Sequence, residues 1–278
     1  MIEVETSVVK RKATEQLRFH RGERLLGSPL VEHLKVRHVM VIGLGGVGSW
    51  AAEMLVRTGV GRVSLVDFDK VCVTNTNRQL HARKGTIGKH KAAVMADRLL
   101  AINPIADVDA RIAFYNEESS EELLALEPDL VLDAIDNLTA KCHLLAQCKQ
   151  RGIPVISSMG AAARLDPTQV RQADIAQTHT DPMARSIRKI LRKLYGIETG
   201  ISCVYSTEPP NDPQSTKTPF DDVCVCPAPD GDFRDLHTCD HRNVVLGSVG
   251  FVTAAFGMTM VAGAVDHFRS EINSLSLS

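Results

Sequence analysis

No sign of charge predominates in this chain. Its 278 residues hold 32 Lys and Arg against 33 Asp and Glu, so it is no polybasic coat for nucleic acid, and any basic surface must be local. No charged-then-apolar cleavable segment stands at the start. The seven Cys are odd in number and scattered, and no Cys-x-x-Cys pair is present. A disulfide framework is therefore not expected, and a reducing, cytoplasmic setting is. Internal repeats are lacking, and 44% hydrophobic with 23% charged residues excludes disorder and collagen-like sequence. Long apolar runs are scarce too, with one exception. Val244 to Val265 passes 22 residues without a charge, enough in principle to cross a bilayer. It holds Gly247, Gly250, Gly257 and Gly263 but one Leu, so the other expectation is a buried or interface helix packed closely against protein.

What is present has a clear rhythm. Short apolar runs at Val39 to Ile42, Val63 to Val66, Val108 to Ile112, Leu130 to Leu132 and Val155 to Ile156 predict strands. Helical patterns fill the gaps at Val47 to Thr58, His90 to Ala101, Glu117 to Leu126 and Leu138 to Arg151, with Gly59 and Gly152 as stop signals. Strand, helix, strand repeated in this way requires crossover connections, hence an α/β fold with a Rossmann-like, doubly wound, mostly parallel sheet. The expected organisation is an N-terminal arm and helix over 1–35, a nucleotide-binding α/β domain over 36–160, and a helical and irregular lobe over 161–278.

In that last region Asp181, Pro182 and Gly196 frame one helix as N-cap, first turn and stop. Ile187, Ile190, Leu191 and Leu194 share one side, while Arg185, Arg188, Lys189, Arg192 and Lys193 occupy the rest without an acid among them. Such a run is either a solvated face or a contact for a phosphate backbone. Thr207 to Asp240, with six Pro and eight acids against two bases, predicts a long irregular loop, and Ser270 to Ser278 a frayed polar tail.

The chemistry gathers after the strands. Gly43, Gly45, Gly46 and Gly48 form a GLGGVG turn between a strand and a helix, where backbone amides approach phosphate. Asp67 closes the next strand, placed either to bind a ribose or to cap the strand end. Asp69, Asn75, Asn77, Arg78, Lys91 at a helix start, and Asp136 with Asn137 follow at the carboxyl ends of strands. Taken singly, Arg78 or Lys91 fits a surface ion pair and Asp136 a helix N-cap. Together, cations and a metal-binding carboxylate around phosphates suit displacement at phosphorus, which hydride transfer does not need.

The run GLGGVGSWAAEMLVRTGVGRVSLVDFDKVCVTNTNRQLHA resembles the ThiF/MoeB/HesA adenylyltransferase superfamily that activates ubiquitin-like and sulfur-carrier proteins. VCVTNTNRQ, DAIDN, ARLDPTQVRQADIAQTHTDP and CVYSTE resemble its tRNA threonylcarbamoyladenosine dehydratase branch. The resemblance covers roughly Leu17 to Phe268. It implies that Gly46 and Asp67 bind ATP, that Asn75, Arg78 and Lys91 meet its phosphates, and that Asp136 holds Mg2+. It also implies a homodimer in which Arg18 or Arg21, within RFHRGERLLG, reaches the partner's site. The implied activity is adenylation of the carboxylate of threonylcarbamoyladenosine in tRNA, then ring closure by its own carbamoyl group with loss of AMP.

The alternatives are a carrier-protein adenylyltransferase and, more distantly, an NAD-dependent oxidoreductase. The basic helix and the missing Cys-x-x-Cys pairs favour the tRNA enzyme over the first. Arg78, Lys91 and Asp136 disfavour the second. Cys224, Cys226, Cys239 and His241 offer four soft ligands at an unusual spacing for zinc. Cys203 is either reactive or simply buried. A sulfur-relay partner and membrane contact by Val244 to Val265 stay open on sequence grounds.

Overall fold

A computed structural model of the chain describes residues 17–211, 225 and 246–275. Seven strands make one sheet: β1 (His38–Ile42), β2 (Arg62–Val66), β3 (Asp107–Arg111), β4 (Leu130–Asp133), β5 (Val155–Ser158), β6 (Val170–Asp174) and β7 (Ser202–Ser206). Their order is β3-β2-β1-β4-β5-β7-β6. Every pairing is parallel except β6 with β7. The centre of a parallel sheet is covered on both faces, so its strands are apolar without alternation, and HVMVI of β1 is buried along its whole length.

The helices are α1 (His20–Leu26), α2 (Ser28–Lys35), α3 (Gly48–Thr58), α4 (Lys91–Ile102), α5 (Glu117–Leu124), α6 (Leu138–Arg151), α7 (Pro182–Ile190) and α8 (Gly250–Leu275). Side chains of α2, α3, α4 and α8 pack with Val39, Val41, Val63 and Leu65 in one core cluster. Those of α5, α6 and α7 pack with Met40, Ile42 and Val131 in a second. Alternate residues of the same strands thus face opposite layers. The stop signals at Gly59 and Gly152 are left-handed C-caps, with φ of 102° and 68°. For α7, Asp181 Oδ1 accepts the Ala184 N–H at 3.0 Å, and the helix ends through one π-helical turn, Leu191–Tyr195, into Gly196.

Three expectations need correction. The sheet does not stop with β5: β7 pairs with β5 and β6 with β7. VRQAD holds too few apolar residues in a row to announce a strand, SCVYS carries three but stands outside the strand–helix rhythm, and β6 lies half open at the sheet edge. The tail from Ser270 is not frayed at its start, since α8 continues to Leu275. There Glu271 Oε2 lies 2.9 Å from His33 Nε2 and 3.5 Å from Arg37 Nη2, tying α8 to α2 and the turn after it. The charge-free run divides: residues 246–249 are not helical and the helix begins at Gly250. Most of the acidic, proline-rich loop lies outside the described residues.

By length and composition α8 could cross a membrane, yet its apolar residues have protein partners. Val252, Phe256, Met260 and Phe268 are fully buried. At Gly257 a Cβ would come within 2.6 Å of the Val47 carbonyl oxygen and 2.9 Å of the Ala51 nitrogen, so glycine here is what lets α8 lie directly on α3. Phe256→Ala should cost about 3–5 kcal/mol in urea unfolding. Phe251→Ala, on the 56% exposed side, should change stability by less than about 0.5 kcal/mol.

Candidate active site

Strand order reverses between β1 and β4, which opens a crevice at their carboxyl ends. The glycine turn fills one wall. Gly43 adopts φ of 90°, and a Cβ there would sit 2.7 Å from the Ala134 carbonyl oxygen, while a Cβ on Gly48 would land on the Gly43 carbonyl. These two glycines therefore fix the shape of the turn against β4. Gly46 faces Thr253 of α8, and a Cβ on Gly45 would meet nothing within 4 Å, so that side of the turn is open to close approach.

Asp67 stitches the turn to the end of β2. Its Oδ2 accepts the Leu44 N–H at 2.6 Å and its Oδ1 the Asp69 N–H at 2.8 Å. The strand-end cap is thus real, and each oxygen keeps a second lone pair for a ribose hydroxyl. Burial raises the Asp67 carboxyl pKa, with the Lys91 charge opposing it. Lys91 opens α4, and its backbone N–H reaches the Asp69 carbonyl at 2.9 Å. Lys91 is 5% exposed, and its ammonium lies 2.7 Å from Asp69 Oδ2. Burial works against this charge, but Asp67 and Asp69, with Asp136 adding to them, outweigh it and hold the Lys91 pKa above its ordinary value. Behind it His81 is buried, and burial first, then Lys91 and Arg98, bring its pKa down to about 3. The imidazole is therefore neutral and Lys91 does not face a competing cation from that side.

The segment after β2 supplies the opposite wall. Asn75 is buried and its Oδ1 accepts the Cys72 N–H at 2.9 Å, closing a 3-10 turn over Val73–Asn75. Asn77 Nδ2 donates to the Ser248 carbonyl at 2.8 Å, which joins this segment to the approach to α8. Arg78 Nη1 donates to the Thr74 carbonyl and to Asn77 Oδ1, both at 3.0 Å, and its carbonyl accepts from Trp50 Nε1. Arg78 is thereby held half-buried at the rim.

Beneath the third wall lies a group of residues that the sequence reading missed. Asp133 ends β4 with no exposure, and its Oδ2 accepts from Lys141 Nζ and from Ser157 Oγ, each at 2.6 Å. Its Oδ1 accepts the Ile135 N–H at 3.0 Å, which bends the chain toward Asp136. Asn137, not Asp136, is the N-cap of α6, accepting the Ala140 N–H at 3.0 Å. The exposed Asp136 carboxylate accepts no hydrogen bond among the described residues, so it is available to a ligand. The available signal was a Lys on the inward side of α6, eight positions beyond the first Asp of DAIDN.

Other expected residues lie apart. Arg18 Nη1 donates to the carbonyl of Ile102 at the far end of α4, about 16–17 Å along that helix from Lys91 at 1.5 Å per residue. Arg21 is exposed and makes no hydrogen bond among the described residues. On α7 and the π-helical turn after it, Arg185, Lys189, Arg192 and Lys193 are exposed. Arg188 is half-buried, and its Nη1 turns back to the Thr178 carbonyl at 2.7 Å and to the Thr178 hydroxyl, so part of its guanidinium is committed to its own chain. Cys203 is fully buried on β7, and burial pushes its thiol pKa well up, so it stays protonated and unreactive. No cluster of three or more His, Cys, Asp or Glu suited to a metal occurs among the described residues. Cys224, Cys226, Cys239 and His241 lie outside them.

A doubly wound sheet with a glycine turn at its switch point, and a buried lysine held among carboxylates beside it, define a nucleotide-site α/β protein. The sequence pattern of the ThiF family matches residues 19–271, and the chain belongs to that family. It is 38% identical over 265 residues to the tRNA threonylcarbamoyladenosine dehydratase of Escherichia coli, covering 93% of this chain and 96% of the relative. The Bacillus subtilis protein of the same name is 48% identical over 192 residues, 69% of this chain and 75% of that one. The solved structure of the E. coli enzyme TcdA in complex with ATP superposes with a TM-score of 0.80 at 34% identity, over 93% of this chain and 96% of that one.

Lys141→Met would leave the Asp133 carboxylate buried without its cation. It should lower stability in urea unfolding by about 3–5 kcal/mol, and Asp133→Leu combined with Lys141→Met should regain most of that loss.

Proposed function

We propose that this protein is an ATP-dependent dehydratase of threonylcarbamoyladenosine in tRNA. The observation that carries the reading is Lys91, a buried ammonium kept charged by Asp67 and Asp69 beside a glycine turn. Such a group serves anions that would otherwise repel each other. The triphosphate would lie on the turn with its ribose toward Asp67. Asn75, Arg78 and Lys91 would meet the phosphates. The substrate carboxylate then attacks the α-phosphorus, the bond to pyrophosphate breaks, and an acyl-adenylate forms. The carbamoyl group of the same side chain attacks the acyl carbon, AMP leaves, and the net change is loss of water. An internal nucleophile explains why a buried, protonated Cys203 is no obstacle.

Mg2+ fits the site: Asp136 offers an uncommitted carboxylate, and this ion is commonly held by one or two carboxylates plus substrate phosphates. Asp136 would hold it, and when bound it supplies neutralisation of phosphate charge. A homodimer would complete the site, with Arg21 the better placed arginine to reach across, because Arg18 is tied to Ile102. The exposed cations of α7 would take tRNA phosphates, and a tRNA substrate implies a cytoplasmic location. The likeness to dehydratases over nine tenths of the chain favours this reading over a carrier-protein adenylyltransferase. Neither a sulfur-relay partner nor a membrane is needed for it.

Pyrophosphate release should require modified tRNA and should not respond to a carrier-like peptide; release with the peptide alone would select the carrier reading. Arg78→Ala should reduce release by roughly 10²–10³-fold with unchanged urea unfolding. Reversal of Arg185, Lys189 and Lys193 to Glu should weaken tRNA binding and flatten its dependence on log salt by about 2–3 while sparing ATP affinity measured by calorimetry. Unaltered tRNA affinity would remove α7 from the interface.

A further inference from the structure

Arg164 lies on the loop that leaves β5, at the same open edge of the sheet. It is 2% exposed. Its Nε and Nη1 are buried and have no hydrogen-bond partner. The nearest opposite charge, Asp181 Oδ2, is 4.0 Å from Nη2. That carboxylate is already committed, for Oδ2 accepts the Gly160 N–H and Oδ1 the Ala184 N–H, both at 3.0 Å. Glu208, the other acid whose charge reaches the guanidinium, is likewise spent on the backbone N–H groups of Leu165 and Asp166. Two donors of a buried cation are thus left idle between two acids that hold the loop rather than the arginine. An idle buried donor is costly, and more so on a charged group.

The backbone directs the side chain inward. Ala163, the preceding residue, has φ of 58°, a left-handed conformation that costs a non-glycine residue of order 1 kcal/mol or more and collects at functional sites. It is held there from both sides: its N–H donates to the Gly247 carbonyl at 2.8 Å, and its carbonyl accepts the Asn211 N–H at 2.8 Å. Ser248, the next residue after Gly247, accepts from Asn77 of the phosphate wall. The Arg164 loop and the Asn77–Arg78 segment are therefore joined through residues 247–248.

We infer that Arg164 is a substrate-binding residue whose idle donors receive the oxyanion of the group to be activated, the carboxylate of the threonylcarbamoyl side chain. The inference rests on the proposed activity and names the residue that would hold the carboxylate opposite the triphosphate. Both idle nitrogens are sealed from bulk water, so binding a carboxylate requires the loop around them to move. A tRNA backbone phosphate is the rival source of an oxyanion, and unmodified tRNA separates the two.

The test uses the full chain with modified tRNA, unmodified tRNA and ATP. Arg164→Gln should raise KM for modified tRNA at least about thirtyfold, with ATP affinity and unmodified-tRNA affinity unchanged. Arg164→Lys, which keeps the charge in a different shape, should give an intermediate KM and decides the matter if the Gln variant fails to fold. Parental KM in the folded variants would overturn the inference, as would equal weakening toward unmodified tRNA. Failure of the parent protein to release pyrophosphate with modified tRNA would instead remove the proposed activity itself.

Discussion

An ammonium and a carboxylate with no exposure to water, Lys141 and Asp133, underlie the open edge of the sheet. A buried ion pair is a poor way to gain stability, since desolvation takes back most of the attraction. Its use here is geometric. Asp133 spends one oxygen on Lys141 and Ser157 and the other on the Ile135 N–H, so the bend after β4 is fixed from below. That bend sets the Ala134 carbonyl against which Gly43 must be bare, and it delivers Asp136 to the rim. Glycine turn and uncommitted carboxylate are thus positioned by the same charge pair.

Above this base the site works by unequal commitment of its acids. Asp67 and Asp69 are occupied, one by two backbone N–H groups and the other by Lys91. Asp136 is not. The occupied pair keeps Lys91 ionised despite burial, and a lysine ionised in a low-dielectric wall acts on a phosphate more strongly than the same group in water. His81, neutral behind it, adds no charge. The arrangement keeps one buried lysine ionised beside the glycine turn and leaves the Asp136 oxygens free for a cation.

The central strands and their crossover helices were legible because a parallel sheet buried on both faces writes unbroken apolar runs. The glycine turn and the polar residues after it were legible because their backbone context, strand to helix, is itself visible. What escaped depended on partners distant in sequence. β6 is too polar to announce itself, β7 stands outside the regular strand–helix alternation, and the two pair through backbone groups that carry no side-chain signature. Lys141 looked like any helix lysine, since only the position of Asp133 and Ser157 on neighbouring strands turns it inward. Arg188 looked like four other cations until the turn at Thr178 claimed it. Asp136 and Asn137 could each have capped α6, and only the Ala140 hydrogen bond decides between them.

The helix α8 shows why composition cannot separate a membrane span from a core helix. Its glycines are where a lipid-packed helix would also carry small residues, and its mean hydropathy passes the same threshold. The difference lies in what the glycines meet. Gly257 meets the Val47 carbonyl and the Ala51 amide of α3, and Gly263 meets the amide of Gln172 on β6. Contacts with backbone and with an edge strand's polar side chain require protein on that face. Because α3 is the helix that begins in the glycine turn, α8 also bears on that turn, through Thr253 against Gly46. The apolar helix that could be mistaken for an anchor is therefore part of what holds the turn in place.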